Sequence, residues 1–118
     1  MVLVDTSVWV SHLRAGNARL ADLLNEGEVT CHHLVIGELA CGHIRNRAEV
    51  LTLLRALPMA AEADHEEVLA LIERHRLMGR GLGYVDMHLL ASALLSDVSL
   101  WTLDNRLRQV AGDLGVAV

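Results

Sequence analysis

The segment Val2-Leu3-Val4-Asp5-Thr6-Ser7, at the start of the chain, predicts a short buried strand followed directly by a helix. Three consecutive apolar residues suit a strand that is covered on both faces, as in a parallel sheet. Asp, Thr and Ser are residue types that begin helices, and Trp9, Val10 and Leu13 then recur at helical spacing. The chain therefore opens with the strand-to-helix step of an α/β protein.

The rest of the chain repeats this alternation of apolar strand-like runs and amphipathic helical stretches. Strands are predicted at 28–32, 59–61 and 99–103, and residues 116–118 close the chain. Predicted helices are a stretch around Leu20 to Leu24 that Gly27 ends, one starting near Val35, one after each of the apparent capping boxes Asn46-x-x-Glu49 and Asp64-x-x-Glu67, one from Tyr84 to Ser96, and a short last one.

This alternation predicts the fold class. Strands separated by helices pair in parallel and are covered on both faces, so we expect a three-layer α/β/α fold with a short parallel central sheet flanked by helices. The chain has 118 residues and no internal repeat, linker or low-complexity tract, so we expect one domain over residues 1–118.

The composition of the chain bears on its cellular location and on the kind of partner surface it carries. The hydrophobic fraction is 53 %, yet the longest apolar run, Leu89 to Leu95, is far shorter than the roughly 18 residues of a membrane span. The start of the chain lacks the basic lead of a secretory signal, so we expect a cytoplasmic protein whose two cysteines, Cys31 and Cys41, are buried thiols. The excess apolar residues predict a surface that a partner covers.

Four of the fifteen acidic residues occupy unusual positions. Asp5 and Asp104 follow predicted strands, and the carboxyl ends of parallel strands share the edge of the sheet where ligands bind. Glu38 and Asp86 lie near the starts of helices, on faces that are otherwise apolar. A carboxylate on such a face has to be paired, hydrogen-bonded or metal-bound.

Each acid alone also has an ordinary structural explanation. Asp5 and Asp104 suit helix N-caps, and Glu38 and Asp86 suit the positive end of a helix dipole. Convergence of all four is different, because two carboxylates about 5 Å apart repel by roughly 3 kcal/mol at an effective dielectric constant near 20. An all-oxygen acidic cluster therefore predicts a hard divalent cation, Mg²⁺ or Mn²⁺.

The motifs together resemble those of a known family. The segment from Asp5 to Trp9, Glu38 in a short helix, Gly81-Leu-Gly-Tyr-Val-Asp86 and Thr102-Leu-Asp104 are similar in order and spacing to the PIN-domain ribonucleases, specifically the VapC-type toxins of bacterial toxin–antitoxin pairs. One departure is that Met87 and Leu107 stand where many relatives have a small residue and a Phe, which affects packing more than chemistry.

The resemblance implies a set of functional residues. Asp5 and Asp86 carry over as metal ligands, and Glu38 and Asp104 complete the catalytic acids. Ser7, or alternatively Thr6, matches the hydroxyl residue beside the first acid. We expect Ser7 to contact substrate or a metal-bound water, or else to cap the following helix.

The resemblance also implies a reaction and its participants. The expected activity is Mg²⁺-dependent endonucleolytic cleavage of structured RNA that leaves a 3′-hydroxyl, by a homodimer that a small cognate antitoxin protein inhibits. Arg80, in the glycine-rich loop before Asp86, is placed to meet a phosphate, although a solvated loop arginine is the commoner situation.

Two other functions compete with this interpretation. A phosphoryl-transfer domain of receiver or haloacid-dehalogenase type also has an Asp at a strand end, but this chain has no D-x-D after the first strand and no lysine. A non-catalytic binding module of the same fold would instead use the apolar stripes of residues 35–57 to grip a partner.

Overall fold

A computed structural model describes all residues 1–118 and contains a three-stranded sheet at its centre. The strands are β1 (Val2–Val4), β2 (Val29–Thr30) and β3 (Ser99–Trp101), in the order β2-β1-β3 and all parallel. In register, Leu3 of β1 lies opposite Thr30 and Leu100. All the strands are short, so the predicted strands 28–32 and 99–103 were too long.

The two sheet edges are extended by single bridges rather than by further strands. Cys31 pairs with Met59 on the β2 side, and Leu100 pairs with Ala117 on the β3 side. The predicted strand 59–61 is therefore reduced to one bridge. Pro58 explains part of this, because its carbonyl accepts from the Cys31 amide but proline itself has no amide to extend the ladder.

Seven helices surround the sheet. They are α1 (Thr6–Ala15), α2 (Ala18–Asn25), α3 (His33–Ala40), α4 (Arg47–Arg55), α5 (His65–His75), α6 (Tyr84–Ser96) and α7 (Asn105–Asp113). The strand residues Leu3, Val4 and Leu100 are almost completely buried within one hydrophobic core, which confirms a short parallel sheet flanked by helices. No helix has both the length and the apolar character needed to span a bilayer.

The two predicted capping boxes differ in the structure. Asp64 accepts from the Glu67 amide at 2.8 Å while the Glu67 carboxylate accepts from the Asp64 amide at 3.1 Å, so this box is confirmed. Asn46 has a left-handed backbone with φ of 54° and its side chain makes no cap bond. The capping box predicted at Asn46-x-x-Glu49 was therefore wrong, because the left-handed backbone at Asn46 departs from the extended conformation that N-caps normally adopt.

The helix predicted to start near Val35 begins at His33 and is capped by His32, which is almost completely buried. The His32 Nδ1 atom accepts from the Leu34 amide at 3.0 Å, so the ring proton of the neutral form is on Nε2, which donates to Ser92 Oγ at 3.0 Å. Burial lowers the pKa of His32; Glu62 opposes this shift, while His88 and His33 reinforce it.

This histidine predicts acid sensitivity of the fold. Because the folded chain resists protonation that the unfolded chain accepts near pH 6.5, the stabilisation is complete above that pH and is lost as the pH falls towards the lowered folded pKa. We expect the free energy of unfolding to fall between pH 7 and 5.5 by up to about 1.4 kcal/mol per pH unit, measured by urea denaturation.

His32→Asn retains a cap acceptor but cannot be protonated, so this variant should lose most of the slope. The matched control is His75→Gln, which changes an exposed histidine at the end of α5. If the His32→Asn and wild-type slopes were equal, His32 would not be the source of the acid sensitivity.

The two cysteines do not share the predicted environment. Cys31 is completely buried, and burial raises the pKa of its thiol to about 11. Cys41 is exposed at the end of α3, so the expectation that both thiols are buried was wrong for this residue. Cys41 lies one residue beyond the helix, on its solvent side, which the apolar pattern alone did not distinguish.

Candidate active site

Asp5 lies directly after β1, and its amide donates to the Trp101 carbonyl at the end of β3. Its side chain is only 7 % exposed. The Oδ2 atom accepts from Thr102 Oγ1 at 2.7 Å and from Ser7 Oγ at 2.8 Å. Asp5 is the N-cap residue of α1 by position, but its side chain makes no cap bond. The capping alternative for this acid was therefore wrong.

The two hydroxyl groups also hold the loop between β3 and α7 against Asp5. Ser7 Oγ accepts from the Leu103 amide, and Thr102 Oγ1 accepts from the Asp104 amide, both at 3.0 Å. Each hydroxyl thus gives its proton to the Asp5 carboxylate and receives a backbone proton. Ser7 does not cap α1, and its position relative to substrate stays a prediction.

Thr102 belongs to the motif Thr102-Leu-Asp104, but the sequence did not predict it as a site residue. It is a buried hydroxyl residue at the end of β3, two positions before Asp104. A polar residue at the carboxyl end of a buried strand, on the edge where Asp5 was already expected, was the available signal. Its role here is to orient the Asp5 carboxylate, because its hydroxyl donates to Oδ2 at the shortest distance in the group.

Asp86 lies in the first turn of α6, where its Oδ2 atom accepts from the Gly83 amide at 3.0 Å. Burial raises the pKa of Asp86, the Gly83 amide opposes this shift, and the carboxylates of Asp5, Asp104 and Glu38 raise the pKa further. The last effect requires proximity, since screened charges act over short distances. The structure therefore brings the four acids into one electrostatic neighbourhood.

Glu38 and Asp104 occupy the exposed side of this acidic cluster, by which we mean Asp5, Glu38, Asp86 and Asp104. Glu38 was expected to face the core, but it is exposed, and its Oε1 atom accepts from Thr6 Oγ1 at 2.6 Å. The prediction failed because Glu38 lines an open groove between α1 and the segment that follows α3, so an apolar helix face there does not imply burial.

Asp104 has both a structural role, as a helix cap, and an electrostatic role in the acidic cluster. Its Oδ1 atom accepts from the amides of Arg106 at 2.9 Å and Leu107 at 3.1 Å, so the capping interpretation of this residue is correct. Its Oδ2 atom receives no hydrogen bond from the protein and is available to a ligand or water. Capping and a place in the acidic cluster are therefore compatible.

None of the four acids is neutralised by a basic side chain. The ion pairs of the chain join the amino terminus to Glu28, His33 to Glu62, and Arg80 to Asp113. Three uncompensated carboxylates, those of Asp5, Asp104 and Glu38, raise the pKa of the fourth, Asp86. Such a concentration of negative charge favours a cation, and carboxylate oxygen atoms suit Mg²⁺ or Mn²⁺.

The geometry limits how such an ion would be held. No three His, Cys, Asp or Glu side chains are arranged so that they could together enclose a metal ion. This agrees with Mg²⁺ chemistry, because protein-bound Mg²⁺ commonly takes one or two carboxylates and keeps several waters. The carboxylate oxygens of Asp5 and Asp86 are of the chemical type that such an ion takes, so the donor chemistry fits Mg²⁺, and their role as ligands stays a prediction.

Arg80 was expected near a phosphate, and in the structure its Nη1 atom contacts Asp113 Oδ2 at 2.9 Å. The neighbouring Gly81 has φ of +83°, and a Cβ atom there would stand 2.8 Å from the Arg106 side chain. The glycine loop is thus shaped by close packing against α7. A phosphate contact by Arg80 stays a prediction, and it would compete with this ion pair.

Comparison with known proteins identifies the fold and the family. The family model described as "PIN domain" matches residues 2–113. Ribonuclease VapC32 from two strains of Mycobacterium tuberculosis is 53 % identical over 119 aligned positions, which cover 100 % of this chain and 96 % of the relative. The crystal structure of PAE2754 from Pyrobaculum aerophilum superposes with a TM-score of 0.68 at 19 % identity, covering 99 % of this chain and 87 % of that one, which supports the fold alone. The chain therefore belongs to the PIN-domain family, and within it to the group of the VapC ribonucleases.

Proposed function

We propose that this chain is a Mg²⁺-dependent endoribonuclease, the toxin of a toxin–antitoxin pair, and that it cleaves structured RNA in the cytoplasm to leave a 3′-hydroxyl. The observation that carries the proposal is the acidic cluster, four carboxylates without a basic partner around the carboxyl ends of β1 and β3. The full-length similarity to Ribonuclease VapC32 supports the choice of RNA over other phosphodiesters.

The four acids divide into two pairs with different tasks in this proposal. Asp5, fixed by the Ser7 and Thr102 hydroxyls, and Asp86, fixed by the Gly83 amide, would hold the metal ion. A bound Mg²⁺ would lower the pKa of a water and polarise the scissile phosphate. Glu38 and the free Oδ2 of Asp104 would orient that water for in-line attack or accept its proton.

The proposal is tested by incubating the purified chain with total RNA in Mg²⁺, in Mn²⁺ and in EDTA. We expect discrete cleavage products in either metal and none in chelator, with 3′-hydroxyl ends that a poly(A) polymerase extends without prior phosphatase treatment. Cleavage that continues undiminished in EDTA would contradict the metal requirement.

The partner proposals rest on exposed apolar surfaces. A groove between α1, α2 and α4 is lined by Trp9, Leu13, Val50 and Leu53, and Leu53 is 62 % exposed. We propose that this groove binds the small antitoxin, whose tail would reach the acidic cluster. Co-purification with the product of a small reading frame immediately upstream, lost in Leu53→Glu, is the expected result.

A second apolar groove lies between α5 and α6, where Leu94 is 39 % and Leu95 is 52 % exposed. We propose that this surface contacts a second copy of the chain. Light scattering should then give a mass of twice 12.9 kDa. A non-catalytic binding module remains the second candidate function, favoured by these same grooves, and it would show partner binding without any cleavage of RNA.

A further inference from the structure

A pocket of about 340 Å³ adjoins the acidic cluster on the outer side of β3. Its walls include Arg19 from α2, Trp101 from the end of β3, and Arg108 from α7. This volume is at the lower end of the roughly 300–1,000 Å³ found for small-molecule pockets. It is large enough for one phosphate group with part of a nucleotide.

The pocket and the acidic cluster share Thr102. The Thr102 hydroxyl donates to Asp5 Oδ2 at 2.7 Å, while its carbonyl accepts from Arg108 Nη2 at 3.5 Å. Arg108 is also one helical turn from Asp104, because its amide donates to the Asp104 carbonyl at 2.9 Å. A molecule in the pocket would therefore lie one residue from the carboxylates that are proposed to hold the metal ion.

Two arginines in this pocket carry uncompensated positive charge. The Arg19 guanidinium lies over the Trp101 ring, with its Cζ atom 4.8 Å from the ring centroid. The ring therefore orients the guanidinium group without neutralising its charge. Neither Arg19 nor Arg108 has a carboxylate within 4.0 Å, although the chain has 15 acidic residues and only 10 basic ones. Among the arginines only Arg80 forms an ion pair.

An RNA substrate supplies the charge that these arginines lack. The acidic cluster repels the phosphates of any strand that approaches it, and this repulsion has to be offset close by. Guanidinium groups bind phosphate through paired N–H donors. Trp101, which lies beneath Arg19, is partly exposed, whereas the other tryptophan, Trp9, is only 3 % exposed.

We propose that the pocket of Arg19, Trp101 and Arg108 is a phosphate subsite that holds an RNA backbone phosphate beside the acidic cluster. This inference rests on the proposed ribonuclease function. It assigns the two arginines to substrate binding and leaves the reacting atoms to the acids.

Binding is measured by fluorescence anisotropy of a labelled single-stranded oligoribonucleotide, with Asp5→Asn in every protein so that the probe stays intact. We expect R19Q and R108Q each to weaken binding about 5- to 10-fold at low salt. Each should also reduce the slope of log K against log[NaCl] by about 0.7, the value for one phosphate contact on a single strand. R55Q, at the exposed end of α4, is the matched control and should change neither quantity.

A second measurement places the phosphate in the pocket itself. In a W9F background Trp101 is the sole tryptophan, and this change removes a buried indole N–H that has no hydrogen-bond partner, so folding should be preserved. Adding the oligoribonucleotide should then quench the fluorescence of Trp101, and R19Q should shift the midpoint of that quenching to higher RNA concentration. A loss of folding would appear in the circular dichroism spectrum of each variant.

The outcomes separate this inference from the proposed function. If the parent chain cleaves RNA but R19Q and R108Q behave like R55Q in both assays, the phosphate subsite is wrong and the ribonuclease function stands. If the pocket binds RNA as described but no metal supports cleavage, the subsite is supported and the catalytic function fails. With cleavage present, R19Q and R108Q should raise KM at least 5-fold and leave kcat within about 2-fold.

Discussion

Asp5→Asn is expected to lower kcat/KM for RNA cleavage by more than about 100-fold, since changes to the groups that merely orient a metal ligand already cost 10- to 100-fold. The Asn Oδ1 atom can keep both hydroxyl bonds that Oδ2 of Asp5 now accepts from Ser7 and Thr102. The amide group then replaces the remaining anionic oxygen, so the metal ion loses a charged ligand while the side-chain shape is preserved.

The measurement is a cleavage assay at saturating Mg²⁺ for the variant and the parent chain. Asp22→Asn, an exposed carboxylate on α2, is the control and should keep full activity. Activity of the Asp5→Asn protein within about 3-fold of the parent, with unchanged circular dichroism, would show that this carboxylate does not hold the ion.

The fold could be predicted from the sequence because its strongest signals are local. Apolar runs at β1 and β3, and helical periodicity from Tyr84 to Ser96, each reflect burial within one element. The errors lie where tertiary contacts decide the outcome. Residue Met59 forms one bridge to Cys31 instead of a strand, and the Asn46 backbone is left-handed, neither of which the local pattern reveals.

The proximity of the four acids was predictable from the sequence, but their hydrogen bonds and exposure were not, and their roles stay a prediction. Strand ends placed Asp5 and Asp104 at one edge, and these two acids do act electrostatically on Asp86. The exposure of Glu38 and the bond from Thr102 to Asp5 depend on how α1, α3 and the β3–α7 loop meet, which no single segment encodes. The proximity of these acids follows from topology, whereas their hydrogen bonding follows from packing.

Asp86→Asn is expected to separate stability from activity. The pKa of Asp86 is raised in the folded chain by burial and by the other three acids, so at neutral pH its ionised form costs folding free energy. In EDTA this cost should be relieved as the pH falls towards that raised pKa, an effect opposite in sign to that of His32, so it is measured as the difference in free energy of unfolding between wild type and Asp86→Asn. The variant is neutral and can keep the bond from the Gly83 amide, so it should be more stable than wild type in EDTA at pH 7.

Metal binding should reverse this order. An ion that binds only the folded state at 100 times its Kd adds about 2.7 kcal/mol, which for a domain of this size raises Tm on the order of 10 °C. We expect wild type to gain this shift in saturating Mg²⁺ and Asp86→Asn to gain almost none, with Asp22→Asn following wild type. The measurement is thermal unfolding with and without Mg²⁺ at pH 7. An equal Mg²⁺-induced shift in Asp86→Asn would mean that the ion is held elsewhere, whereas a higher Tm in EDTA with no shift in Mg²⁺ would show that the repulsion within the acidic cluster is what metal binding relieves.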